Sequence, residues 1–291
     1  MRPCPPRRVA RGAWLLASAA ALLLTTSCAL GSAAPATPTP PPTATETPLI
    51  VPSPTPLPTA TPTPSIGAGE AIVVGGDLRT RGAPSTQGPV VGTLQDKQPV
   101  RIIATVQGEN WLVGTQTWVS TSPGWARTWY ELSDKTFVYA PFVFVLGPNE
   151  VSPFIDPQGQ EKWVDVNVTT QTASAMLGAR PIFTAPVSTG QAGFPTPLGT
   201  FKIEPDGRLP VERMTAAQAG FNPAQATYDV ERVLFTQYFD RKGDALHLNY
   251  WRPSSVFGHT ATSHGCVGME MHAAQYFWLF GSPGMRVVIH R

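Results

Sequence analysis

Four consecutive residues near the C-terminus, Ser263-His264-Gly265-Cys266, hold most of the readable chemistry of this chain. A cysteine thiol is a useful nucleophile when a nearby base or positive field draws off its proton. Gly265 lets the backbone turn sharply beside the thiol, and a backbone N–H there can meet a developing oxyanion. His247 lies 19 residues upstream in the β-type run Ala-Leu-His-Leu-Asn-Tyr-Trp. A return loop of that length can bring its imidazole against Cys266, with a third group, such as a backbone carbonyl, orienting the ring. His264 reads as a brace for the loop or as a second acid–base group. His259, after Gly258, either hydrogen-bonds locally or lines a pocket, and Tyr250 and Trp251 either wall a substrate channel or pack in a core. With Ser263, these three are the candidate substrate contacts. Zinc is the rival chemistry, since His247, His259, His264 and Cys266 are all conceivable ligands. Neither C-x-x-C nor H-E-x-x-H spacing is present, so no cofactor or metal is expected.

The elements that must position these residues occupy residues 156–291. Val164, Val166 and Val168 alternate with polar neighbours in one strand, "KWVDVNVTTQTASAML", and a turn at Leu177–Arg180 leads to a second, "PIFTAPVSTG". A Gly/Pro-rich run from Gly190 to Gly199 precedes a third, "GTFKIEP", and the one credible helix spans Met271 to Phe280. This is a hairpin-built, mostly antiparallel domain. Before it, residues 71–148 offer short β-type runs, at Val90–Leu94, Val100–Ile103 and Thr136–Tyr139, with no helical period. Trp111, Trp118, Trp125 and Trp129 crowd this piece, and residues 115–130 read as an irregular insertion.

Together, "HLNYWRPSSVFGHTATSHGCVG", "PVSTG", "TPLGTFKI" and "YDVERVLFTQYF" resemble the L,D-transpeptidase (YkuD-type) catalytic domain, over residues 156–291. The family signature is a His, a loop and Ser-His-Gly-Cys. The resemblance implies a β-sandwich-like domain with one packed helix near the C-terminus. It also implies a cysteine acyltransferase: Cys266 attacks a peptidoglycan stem peptide, releases D-alanine and holds the donor as a thioester. An amine of a neighbouring stem resolves that thioester and makes a cross-link. His247 is the implied base, Gly265 and Cys266 lend N–H groups to the oxyanion hole, and His264 braces the loop. After the cysteine and an aliphatic residue the family usually carries Arg or Asn, where this chain has Gly268. Either Arg252 or Arg213 substitutes for it, or Gly268 marks decay toward a binding protein. Residues 71–148 resemble bacterial SH3-like domains, a small barrel whose tryptophans pack a core or form a groove for cell-wall peptide or glycan. The fold class is therefore mainly β. An L,D-carboxypeptidase, with water in place of the amine, or an inactive wall-binding lipoprotein are the alternatives.

Residues 1–34 read as an export signal: Arg2, Arg7, Arg8 and Arg11 precede the apolar run Ala13–Leu24. Leu24-Thr25-Thr26-Ser27-Cys28 resembles a lipoprotein lipobox, with Cys28 the lipidated residue; plain secretion or a signal anchor is the alternative. Residues 35–70 follow as a disordered stalk, whose 12 prolines between 35 and 66 remove backbone donors and leave an extended spacer of about 3.1 Å per residue. The expected location is the cell envelope, on the outer face of the membrane. The wider composition agrees: of 291 residues, 42% are hydrophobic, 14% are charged and 32 are proline, with a net charge of +2. That charge gives no support for a nucleic-acid partner. Three cysteines, two of them in the leader, exclude a disulfide scaffold.

Overall fold

The computed structural model describes residues 70–119, 122–224 and 226–291. The expected export signal, Cys28 and the stalk up to residue 69 lie outside the described residues.

The N-terminal module is made of short strands: β1 (Ala71–Val73), β2 (Leu78–Arg81), β3 (Val90–Leu94), β4 (Pro99–Val100), β5 (Ile102–Gln107), β6 (Thr128–Leu132), β7 (Phe137–Tyr139) and β8 (Val143–Val145). They form a sheet of order β3-β2-β7-β6-β5 and a second of order β4-β1-β8, antiparallel throughout. The run expected as one strand over 100–103 is cut at Arg101, because β4 pairs with β1 and β5 with β6. The Arg101 carbonyl instead accepts the Ser133 N–H at 3.2 Å. The irregular stretch between β5 and β6 is pinned from inside: the Trp129 indole donates to the Glu109 carbonyl at 3.0 Å and Tyr139 Oη to the Ala126 carbonyl at 2.7 Å.

The C-terminal part holds β9 (Lys162–Asn167), β10 (Thr172–Leu177), β11 (Arg180–Ser188), β12 (Gly199–Lys202), β13 (Arg208–Thr215), β14 (Asp229–Tyr238), β15 (Ala245–Leu248), β16 (Val267–Met269), helix α1 (Met271–Phe280) and β17 (Arg286–His290). Their order is β12-β17-β9-β10-β11-β16-β15-β14-β13. Two neighbouring pairs, β15 with β16 and β17 with β9, are parallel, and the rest are antiparallel. The single strand expected from Lys162 to Met176 is in fact a hairpin. Asn167 Oδ1 accepts the N–H groups of Thr169 and Thr170 at 2.9 Å each, and Gln171 takes a φ of +53°. That side-chain bond competes with the ladder and reverses the chain.

Helix α1 has the expected bounds. It starts at Glu270 without a side-chain cap and is held by packing, with Ala273, Ala274, Tyr276, Phe277 and Phe280 all buried. Tyr276 stacks on Phe183 of β11 with ring centroids 3.8 Å apart. The core does not stop at the domain boundary. Ile72, Val74, Leu112, Trp129, Tyr139 and Phe144 of the N-terminal module belong to the same buried cluster as β9–β17 and α1. Polar bonds seal the contact: Gln275 Nε2 donates to the carbonyls of Pro141 and Val143 at 2.9 and 3.1 Å.

Candidate active site

The parallel pair β15–β16 sets the site. His247 lies opposite Gly268, and Leu246 opposite Val267. Side chains alternate along a strand, and paired residues share a face. Cys266, one step before β16, therefore falls on the face of His247, as does Asn249, one step beyond β15. Leu246 and Val267 turn the other way into the core.

The loop carrying Cys266 is braced by its own residues. Ser263 Oγ donates to the Cys266 carbonyl at 2.6 Å and accepts the Gly265 N–H at 3.2 Å. Thr196 Oγ1 donates to the Gly265 carbonyl at 2.7 Å. Gly265 sits at a φ of +130°, where L side chains are rare, and a Cβ there would overlap Asp244 Oδ1. Its N–H, implied for the oxyanion hole, is held by Ser263 in this resting arrangement.

His247 is 3% exposed, and its Nδ1 meets the Leu248 carbonyl at 2.8 Å. A carbonyl can only accept, so the proton sits on Nδ1 and Nε2 keeps its lone pair. Burial lowers this imidazole from 6.5 to about 4, which leaves it neutral at neutral pH. Trp251 lies nearly parallel to the ring, with centroids 5.7 Å apart. Cys266 is a free cysteine whose thiol donates to the Gly243 carbonyl at 3.7 Å rather than to the imidazole. Burial and then the Asp244 charge push the thiol up to about 12, while the N–H groups of Ala245 and of Cys266 itself pull it down. Asp244 is raised to about 7 by burial and by the charge and hydrogen bond of Asp240. At rest the thiol and the imidazole are both neutral.

Cys266, His247, Asp244, Asn249 and Trp251 line one cavity of about 710 Å³. His264 faces the same cavity from a cluster of rings, with centroids 4.7 Å from Phe194, 5.1 Å from Tyr228 and 5.9 Å from Phe221. Burial, followed by Arg252, lowers its pKa. Two expected substrate contacts fall elsewhere. His259 is exposed and does not line the cavity. Tyr250 is 1% exposed and turns inward, its hydroxyl donating to the Glu231 carbonyl at 2.7 Å. Tyr250 is an odd number of positions from His247, so along the extended chain it falls on the opposite, core-facing side. Ser263 does line the cavity, though its hydroxyl is engaged within the loop.

Gly268 has a direct explanation. A Cβ there would lie 2.7 Å from Asn249 Nδ2 and 2.9 Å from Asn249 Cβ, so Asn249 fills the volume of the missing side chain. Asn249 is 4% exposed, and its Oδ1 has no hydrogen-bond partner among the described residues. Of the two arginines considered as substitutes, Arg252 lines the cavity. Arg213 does not, and is paired with Asp229 at 2.6 and 2.8 Å. Asn249 escaped the sequence reading, although its spacing of two from His247 on a strand already puts both on one face. Among the described residues no three of His, Cys, Asp and Glu gather as a metal-binding group.

Residues 161–289 match the family model of the L,D-transpeptidase catalytic domain, YkuD. This part of the chain is similar to L,D-transpeptidase catalytic domains. No curated protein matches the chain. Among solved structures, an LD transpeptidase in complex with imipenem is 16% identical at a TM-score of 0.41, with 56% of this chain and 66% of that one covered. This chain thus spans just under two thirds of that relative. An L,D-transpeptidase from Mycobacterium smegmatis is 16% identical at a TM-score of 0.42, covering 74% and 77%. L,D-transpeptidase 3 from Mycobacterium tuberculosis, with a faropenem-derived adduct, is 13% identical at 0.40, covering 77% and 82%. Cys266 and His247 both fall within the matched residues and line the same cavity.

Proposed function

We propose that the chain is a peptidoglycan L,D-transpeptidase working through a Cys266 thioester. The observation that carries the reading is the β15–β16 pairing, which sets Cys266 and His247 on one face of one cavity inside a transpeptidase domain. Substrate binding turns the thiol from the Gly243 carbonyl toward His247 Nε2, which takes the proton as sulfur attacks the carbonyl of the stem peptide. The Leu248 carbonyl holds Nδ1–H and steadies the imidazolium. The N–H groups at Ala245 and Cys266 favour negative charge at sulfur as the proton leaves. The carbon–nitrogen bond then breaks, Nε2–H passes its proton to the departing D-alanine amine, and a thioester remains. An acceptor amine attacks that thioester, gives its proton to Nε2, and leaves a new amide and a free thiol.

The leader and Cys28 fit an exported chain held at the outer face of the membrane, and the N-terminal module fits an SH3-like domain. Incubation with a carbapenem followed by intact-protein mass spectrometry tests the mechanism. A stoichiometric mass gain in wild type that disappears in Cys266→Ser is expected; an unmodified wild type favours the inactive wall-binding alternative. With a tetrapeptide donor, release of D-alanine that does not respond to added amine points instead to the carboxypeptidase. Loss of membrane association in Cys28→Ala tests the anchor.

A further inference from the structure

The N-terminal module reaches the catalytic cavity. Trp118 lines it, although Trp118 belongs to the irregular stretch between β5 and β6 and not to the transpeptidase domain. Its indole is 47% exposed and meets Trp251 edge-on, with centroids 6.3 Å apart. Trp251 in turn lies over His247. A continuous aromatic path therefore runs from the catalytic base to Trp118 and solvent.

The path is fixed in place. Gln116 Nε2 donates to Tyr250 Oη at 2.8 Å, and Gln116 Oε1 accepts the Glu231 N–H at 3.0 Å. Arg232 donates to the Trp111 carbonyl and holds its guanidinium 5.0 Å from the Trp111 ring. It does so from an irregularity in the β13–β14 ladder, at a φ of +54°. A non-glycine residue held there carries backbone strain, which persists when the surroundings over-determine it. A large exposed indole on so firmly docked a loop is not explained by core packing.

We propose that Trp118 and Trp251 form a subsite for the acceptor, a primary alkyl amine carried on a peptide, so that the N-terminal module completes the active site. The inference rests on the transpeptidase reading above. The attacking amine must come within hydrogen-bond reach of His247 Nε2 to lose its proton. It approaches as an ammonium ion, which the faces of tryptophan attract while its alkyl arm covers apolar ring surface. It gives up one proton to solvent before attack and the second to Nε2 during attack, from where it passes to the departing sulfur. Arg252, lining the same cavity, has Nη2 3.4 Å from the Thr262 carbonyl. The donor half-reaction needs Cys266 and His247 but not this path.

Separate half-reactions on the full chain test the proposal. Acylation is followed by D-alanine release from a stem tetrapeptide, and resolution by mixing the acyl-enzyme with a stem tripeptide bearing a free side-chain amine. Trp118→Ala is expected to leave acylation within about twofold while raising the half-saturating acceptor concentration roughly 3- to 30-fold. Trp118→Phe should recover most of that loss, and unfolding curves should stay close to wild type because the indole is half exposed. An unchanged acceptor dependence in Trp118→Ala, or equal slowing of both half-reactions, overturns the proposal while the transpeptidase stands. A wild type that never forms the acyl-enzyme removes the transpeptidase reading, and this inference with it.

Discussion

The N-terminal module and the transpeptidase domain are both built of strands, yet they place their large side chains in opposite ways. The transpeptidase domain buries Phe277 and Phe280 among its own elements, with the half-buried Phe183 against Phe277, and shares only Tyr276 with Phe144 of the module in that ring group. The module keeps a small cluster of its own, Ala71, Leu132, Val138 and Val143, and sends Trp129, Tyr139 and Phe144 into the shared core. Burying one such side chain stabilises by about 1.5–3 kcal/mol. A small domain with so modest a private core has little stability to spare alone. The difference teaches that the module is a structural part of the catalytic body rather than an arm that binds independently.

The largest effect should come from removing the module. A fragment of residues 149–291 uncovers the surface beneath Phe144 and Tyr139, and is expected to lose cooperative thermal unfolding. A fragment that melts cooperatively and is acylated as fast as the full chain would break the comparison. A smaller effect should come from inside the transpeptidase domain. Gly268→Asn and Gly268→Arg push a side chain into Asn249, and overpacking of about 1–3 kcal/mol at the His247 strand should slow acylation about tenfold or more. Partial recovery in Asn249→Ala/Gly268→Asn would tie the loss to that collision. Faster acylation by either single variant would make Gly268 a mark of decay.

Gln275→Ala sharpens the comparison at the contact itself. It orphans the Pro141 and Val143 carbonyls and should lower stability by about 1–3 kcal/mol, read as a drop in Tm of roughly 2–12 °C. Carbapenem acylation at 25 °C should barely change. The smallest effect is a matter of pH. His247 falls from 6.5 to about 4 on folding, so its contribution is complete above pH 6.5 and is lost as pH falls toward 4. Asp244 rises from 3.8 to about 7, so its contribution is complete below pH 3.8 and is lost as pH rises toward 7. The two slopes oppose each other between pH 4 and 6.5. Asp244→Asn removes one of them, and its Tm should climb more steeply with pH across that window than wild type. Parallel Tm curves for the two proteins would contradict the assignment.

The chemistry was legible where it is local. Ser263 to Cys266 is one short run, His247 stands in a recognisable strand, and Met271–Phe280 is apolar enough to declare a helix. What the sequence hid depends on distant partners. The parallel β15–β16 pairing joins residues separated by a loop, and no local pattern distinguishes it from a hairpin. The reversal at Asn167 was masked because valine alternation continues to Val168, past the residue that bends the chain. Trp118 was visible as a tryptophan, but its neighbour Trp251 is more than a hundred positions away. Tyr250 and His259 look like site residues by proximity in sequence, and strand phase and loop direction carry them off.

The hydrogen bond from the Cys266 thiol to the Gly243 carbonyl has a consequence for survival between turnovers. Peroxide, alkylating agents and stray disulfides react with thiolates, and burial, which pushes this thiol up, keeps it in the less reactive protonated form. On the proposed mechanism, the thiol stays quiet until a bound peptide displaces that contact and turns it to His247. Such latency would let Cys266, the free cysteine among the described residues, endure an oxidising environment.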